Sequence, residues 1–189
     1  MEPSCGGGHW PSRDRKRKAF NRYNRAWTPG RLQGQRRRPY HLALLAEAYG
    51  KTGQVEERLT ALAEALTVAD KTGERYYEAE LYRLKGELTL QKFQVSGSKF
   101  QVPSPQHPTP STQAEAEAEA CFQKAIEIAQ RQQAKSLELR AATSLARLWQ
   151  QQGKRDEARH LLAEIYGWFT EGFDTKDLQE AKALLEELA

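Results

Sequence analysis

LAEAYGKTG at residues 45–53 returns, one hundred positions on, as LARLWQQQG at residues 145–153. Both stretches read Leu-Ala-x-x-aromatic-x-x-x-Gly, with Tyr49 and Trp149 as the aromatics and Gly53 and Gly153 closing them. Apolar residues at this spacing share one face of a helix, and glycine ends helices because it enters left-handed backbone conformations cheaply. Beyond the turns, Leu62 and Ala65 follow Gly53 at the offsets at which Leu162 and Ile165 follow Gly153. A second helix with the same apolar stripe is therefore expected after each first one. A hairpin of two such helices buries its faces by stacking on the next hairpin, so the expected fold is all-α, a helical-hairpin solenoid. An array of that kind is a surface for holding other molecules and has no built-in pocket for chemistry.

Composition sets the limits on this reading. With 189 residues and 39% hydrophobic content, the chain is long enough for one domain and a tail, with a core that is thin and divided among repeats. A two-domain enzyme is not expected. No apolar run approaches the roughly 18 to 20 residues that span a bilayer, and the N-terminus lacks the hydrophobic stretch of a signal peptide. A soluble, cytoplasmic protein is the expectation. Cys5 and Cys121 form neither a disulfide framework nor a metal-binding spacing, and Cys121 reads as core filler. Residues 1–39 carry eleven Lys and Arg against Glu2 and Asp14, a charge of +9 set against +4 for the whole chain. The remaining 150 residues therefore stand at −5, and the basic balance belongs to the tail.

Residues 1–39 show no helical or strand period, several Gly and Pro breakers and basic clusters at 13–18 and 36–38, the composition of a disordered tail. The folded domain is expected over 40–189. Tyr40, Leu42, Leu44, Leu45, Ala48 and Tyr49 form the first helical series, which Gly50 and Gly53 break. Val55, Leu59, Leu62, Ala63 and Leu66 continue it as far as the stop signal at residues 70–73, and the run from Tyr76 to Leu90 opens the next helix. The pattern fails over 93–112, where four prolines, Pro103, Pro105, Pro108 and Pro110, read as an inserted loop inside one hairpin. Loop closure there costs little, about 0.6 kcal/mol per doubling of length. Helical pattern resumes at Gln113, turns at Gly153 and runs to about Phe169. A last helix after Gly172, with Asp174 or Thr175 as N-cap and Leu178, Ala181, Leu184, Leu185 and Leu188 as its stripe, is placed to close the end of the array.

Set against the tetratricopeptide pattern of about 34 residues, Leu45, Ala46, Tyr49, Leu62 and Ala65 match in a first repeat. Ala118, Phe122 and Ala125 match in a second, and Leu145, Ala146, Trp149, Ala158 and Leu162 in a third. Small residues let helix axes approach while aromatics fill the wedge between hairpins. Arg58 departs from the pattern, standing where Ala158 stands in the later copy; either it snorkels outward or that hairpin is looser. On the words YRLKGEL (82–88) and IYGWFTEGFDT (165–175), the chain from about Arg38 to Ala189, apart from the proline-rich insertion, resembles the C-terminal tetratricopeptide region of large bacterial signalling proteins. In that family a cyclase domain, adenylate or guanylate, shares the chain with a signal-transducing ATPase and the repeat array. The resemblance implies a sensing or autoinhibitory module acting on a cyclase or ATPase domain. The change of text just before Arg38 suggests that residues 1–37 derive from a shifted reading frame or a recombined start.

Candidate motifs for chemistry do not survive inspection. Gly50-Lys51-Thr52 ends like a phosphate-binding loop, but Leu45 stands where that loop requires glycine. The stretch DKTG at 70–73 is followed by Glu74 where the phosphorylated-aspartate motif of ion pumps has threonine. His9, His41, His107 and His160 are scattered without a second ligand one turn away, so neither metal nor cofactor nor catalytic residue is expected.

Repeat register instead places Glu47, Lys51, Glu80, Arg83, Glu87, Arg140, Arg147 and Gln151 on the groove side of the first helices, a mixed-charge set suited to a protein or peptide partner. The bland alternative is a merely solvated helix face. A different class of function, nucleic-acid binding, would rest on the tail, where Arg13, Arg15, Lys16, Arg17 and Lys18 accompany Trp10, Phe20, Tyr23 and Trp27. An uncovered first hairpin would also favour self-association.

Overall fold

The computed structural model describes residues 38–96 and 110–189, and every regular element among them is a helix. There are seven: α1 (Arg38–Lys51), α2 (Val55–Thr72), α3 (Glu78–Ser96), α4 (Pro110–Arg131), α5 (Lys135–Gln151), α6 (Arg155–Tyr166) and α7 (Lys176–Glu187). None of the described helices is long and apolar enough to cross a membrane.

Three connections use one turn. In each, the second residue after the helix takes a left-handed conformation: Gly53 at φ 68°, Gln133 at 56° and Gly153 at 80°. The same amide bonds close all three. Gln54 N donates to Tyr49 O at 3.0 Å, Ala134 N to Ala129 O at 2.9 Å and Lys154 N to Trp149 O at 2.9 Å. The next helix then starts at once, at Val55, Lys135 and Arg155, with the amides of Arg58, Glu138 and Ala158 donating to the carbonyls of Gln54, Ala134 and Lys154. These three residues are structurally equivalent and all are buried. Left-handed φ costs an L-residue roughly 1–2 kcal/mol, which is why two of the three turns carry glycine and why the third was not legible as a turn of this kind.

The helices pack as neighbours along the chain. α1 lies against α2, α3 against α4 and α5 against α6, while α1, α3, α5 and α7 each touch the next of their own set. One apolar cluster joins α1, α2 and the front of α3 through Leu42, Ala46, Leu62, Ala65, Leu81 and Leu84. A larger one joins α4 to α7 through Phe122, Leu139, Leu145, Leu162, Leu178 and Leu184. Close helix approach depends on small residues: a β-carbon at Gly86 on α3 would stand 2.6 Å from Cε1 of the fully buried Phe122 on α4. Trp149 is half-buried against the larger cluster, its Nε1 donating to Glu119 at 2.9 Å. The Thr175 N-cap has extended backbone, but its hydroxyl donates to Gly172 O at 2.7 Å instead of accepting from the first turn of α7.

Several boundaries differ from those expected. α1 starts at Arg38, inside the stretch assigned to the tail, with Pro39 buried and Arg38 paired to Glu64. Gly50 does not break α1; it lies within the helix, and only Gly53 turns the chain. The next helix begins at Glu78, because Tyr76 and Tyr77 form a turn. At the insertion α3 runs on to Ser96 and α4 begins at Pro110, so the outer parts of 93–112 are helical. Proline is compatible with the first position of a helix, where its missing amide would have no partner. Residues 97–109 and the basic tail 1–37 lie outside the described residues.

Candidate functional site

Each helix of the set α1, α3, α5, α7 turns a polar edge toward a common groove, with a cavity volume of about 570 Å³. Glu47, Gly50 and Lys51 come from α1; Arg83, Glu87 and Gln91 from α3; Arg140, Thr143, Ser144 and Arg147 from α5; Lys176, Asp177 and Glu180 from α7. The even-numbered helices contribute one residue, Arg58 of α2. Six cations face four carboxylates along the lining.

Beneath the groove lies Glu80, 1% exposed, and the arginines are organised around it. Arg83 grips it with two bonds, Nε to Oε2 at 2.9 Å and Nη2 to Oε1 at 2.6 Å. Arg140 Nη1 reaches the same Oε1 at 3.1 Å and extends its Nε toward Asp177 at 3.5 Å. A carboxylate this deeply buried is tolerable only with such partners, since an unpaired buried charge costs several kcal/mol. Burial works against the charged form of Arg83, but the hydrogen bonds and charge of Glu80, with Glu87 and Glu47 nearby, outweigh it and its pKa is raised. Arg140 follows the same pattern: burial lowers, the Glu80 charge raises, and the net shift is upward.

Toward the α1 end, Arg58 is the deepest cation of the lining, more buried than Arg83. It is 5% exposed, donating from Nη2 to Glu87 and from Nη1 to Gln91, both at 2.9 Å. Its Nε is buried and has no hydrogen-bond partner. The guanidinium fits because α1 has no side chain at position 50, where a β-carbon would stand 2.9 Å from Nη1. The outer rim is ordinary surface electrostatics. Lys51 pairs with Glu47 at 2.9 Å, and this bond holds the Glu47 carboxyl below its usual range despite partial burial. Arg147 meets Glu180 at 3.0 Å; burial pushes the Glu180 carboxyl up, but Arg147 and Lys176 outweigh it and the net shift is downward.

Of the eight residues assigned to the groove by register, Glu47, Lys51, Arg83, Glu87, Arg140 and Arg147 line it. Glu80 sits below its floor, tied to Arg83 and Arg140, and Gln151 is exposed outside the lining. Arg58 neither snorkels outward nor loosens its hairpin, because it points into the groove floor and is hydrogen-bonded there. Its signal in the sequence was the charge at a small-residue position, but its direction depended on Gly50, eight residues earlier on another helix. Lys176, Asp177 and Glu180 were also missed. They lie in the first two turns of α7, Asp177 and Glu180 each one turn before the stripe residues Ala181 and Leu184, and that helix was assigned only to capping. The aromatic and basic residues of the proposed nucleic-acid arm, from Trp10 to Trp27, fall outside the described residues. Among the described residues no group of three His, Cys, Asp or Glu is placed to hold a metal ion. Comparison with protein-family models, with curated proteins and with solved structures finds no match.

Proposed function

We propose that the chain is an interaction module, a tetratricopeptide-like solenoid that holds a peptide segment of a protein partner in the groove lined by α1, α3, α5 and α7, with no catalytic activity of its own. The observation that carries this reading is the alternation: odd-numbered helices supply every groove residue except Arg58, as a stack of hairpins requires when the first helix of each faces one side. The lining is mostly charged and polar, with deep arginines able to make paired hydrogen bonds to carboxylates, which suits a polar extended segment better than an apolar helix. The words YRLKGEL and IYGWFTEGFDT support a regulatory partner, a cyclase or ATPase domain, in keeping with the resemblance to signalling proteins.

A random peptide library selected on the full chain tests this. Peptides should be recovered whose binding is lost in Arg147→Glu, a rim substitution of a half-exposed side chain that leaves the fold intact. Recovery of no peptide, or of peptides indifferent to Arg147→Glu, overturns the reading.

A further inference from the structure

Glu87 stands between two arginines, one carboxylate oxygen accepting from Arg58 Nη2 at 2.9 Å and the other contacting Arg83 Nη1. The two arginines depend on it unequally. Arg83 keeps its two bonds to Glu80 whatever Glu87 does. Arg58 would be left with the neutral oxygen of Gln91, a Leu84 carbonyl at 3.5 Å and an Nε that already lacks a partner. A guanidinium so far removed from water needs an anion beside it. The anion that supplies this is the most accessible member of the cluster: the Glu87 side chain is 36% exposed, against 6% for Arg58 and 9% for Arg83. Two buried donors thus face a more exposed, groove-side acceptor. Lys51, Arg147 and Lys176 along the rim are well exposed, and each is paired with a rim carboxylate, Glu47 or Glu180.

We propose that the place held by the Glu87 carboxylate is the anion subsite of the groove, where an oxyanion carried by a bound peptide, a carboxylate or a phosphorylated side chain, replaces Glu87 between Arg58 and Arg83. Glu87 is then a resident stand-in for the ligand, keeping Arg58 paired while the groove is empty. This rests on the peptide-groove reading above. Planar guanidinium groups match carboxylate and phosphate oxygens alike, so the shared chemistry is the oxyanion.

The test uses the full chain and labelled hexaglutamate, hexaglutamine and a neutral hexamer with a central phosphoserine, followed by fluorescence anisotropy. Glu87→Gln removes the competing carboxylate and should tighten binding of an anionic hexamer about tenfold, while Arg58→Gln should weaken it by about tenfold or more; each tenfold corresponds to about 1.4 kcal/mol. Hexaglutamine should not bind. Preference between the glutamate and phosphoserine hexamers tells which oxyanion the subsite takes. If Arg58→Gln fails to fold, the Arg58 Nε–H resonance of the unaltered protein serves, and it should move on addition of the preferred hexamer. Unchanged or weaker binding in Glu87→Gln, no binding of either anionic hexamer, or a stationary Nε–H signal overturns the subsite. A library that yields basic or apolar peptides sensitive to Arg147→Glu would retain the groove and remove only the subsite.

Discussion

The Arg58 guanidinium fills the space that a side chain at position 50 would need, with Nη1 2.9 Å from where the Gly50 β-carbon would be. A glycine inside a helix costs about 1 kcal/mol relative to alanine, so its presence in the last turns of α1 calls for a reason, and Arg58 is that reason. The two positions are one device, a charge brought to the groove floor by clearing the neighbouring helix.

A double-mutant cycle measures this directly. In the Arg58→Ala background, Gly50→Ala should stabilise the protein by about 1 kcal/mol through helix propensity alone. With Arg58 present the gain should vanish, because the guanidinium must leave Glu87 and Gln91 to make room. The expected coupling is about 1 kcal/mol or more by urea unfolding; additive effects would show that Gly50 and Arg58 are independent.

Gly86 is a stricter case, since the atom opposite is on the ring of the fully buried Phe122. Gly86→Ala should lose roughly 1–3 kcal/mol by overpacking, and Phe122→Ala roughly 3–5 kcal/mol by leaving a cavity. Stabilisation by Gly86→Ala in chemical denaturation would mean that α3 and α4 do not approach as closely as stated.

Of the three equivalent turns, the one at Gln133 carries the strain of a left-handed L-residue. Gln133→Gly should raise stability by about 1 kcal/mol, and Gly153→Ala should lower it by about the same amount. Thermal melts of the two variants should therefore shift in opposite directions; shifts of the same sign would deny that the turns are equivalent.

Depth separates the charged residues into two classes. Glu80→Gln leaves Arg83 and Arg140 short of a buried counter-charge and should cost about 3–5 kcal/mol, whereas Arg147→Ala on the rim should stay within about 0.5 kcal/mol of the original protein. Unfolding midpoints compare them. If Arg147→Ala is the more damaging, the assignment of floor and rim is inverted.

The Glu47 carboxyl is held below its usual value of 4.5 chiefly by the Lys51 bond, so its contribution is complete above that pH and disappears as the pH falls through its lower folded value. For a partly exposed pair one turn apart the size is only about 0.3–0.5 kcal/mol. Glu47→Gln should therefore be slightly less stable than the original at neutral pH, with the difference shrinking as the pH falls below 4.5. A difference that grows on acidification would give the shift the opposite sign.

Much of the helix order was legible because the apolar period and the two turn glycines act locally: Leu45, Ala46 and Gly53 state their structure within nine residues. Gln133 was not legible, since nothing in its chemistry asks for a left-handed φ, and the three-dimensional turn imposes it. The same division runs through the groove. Register on the first helices located Arg83, Arg140 and Arg147, because side chains on one helix face share a direction. Arg58 could not be located that way, as its direction is decided by a gap on a different helix, and Glu80, which register also placed on the groove side, lies buried beneath it in the grip of Arg83 and Arg140. Pro110 illustrates the ambiguity of a single residue: proline excludes the interior of a helix and favours its first position, and only the residues after it decide which applies.

Amide NMR shifts recorded while a library-selected peptide is titrated into the full chain bear most closely on the proposed groove. Perturbations should concentrate on Lys51, Glu87, Ser144, Arg147 and Glu180, positions contributed by four separate helices to one lining. Shifts concentrated instead on the outer face of α6, at Arg159, His160 and Ala163, would place the partner elsewhere and remove the groove as the binding surface.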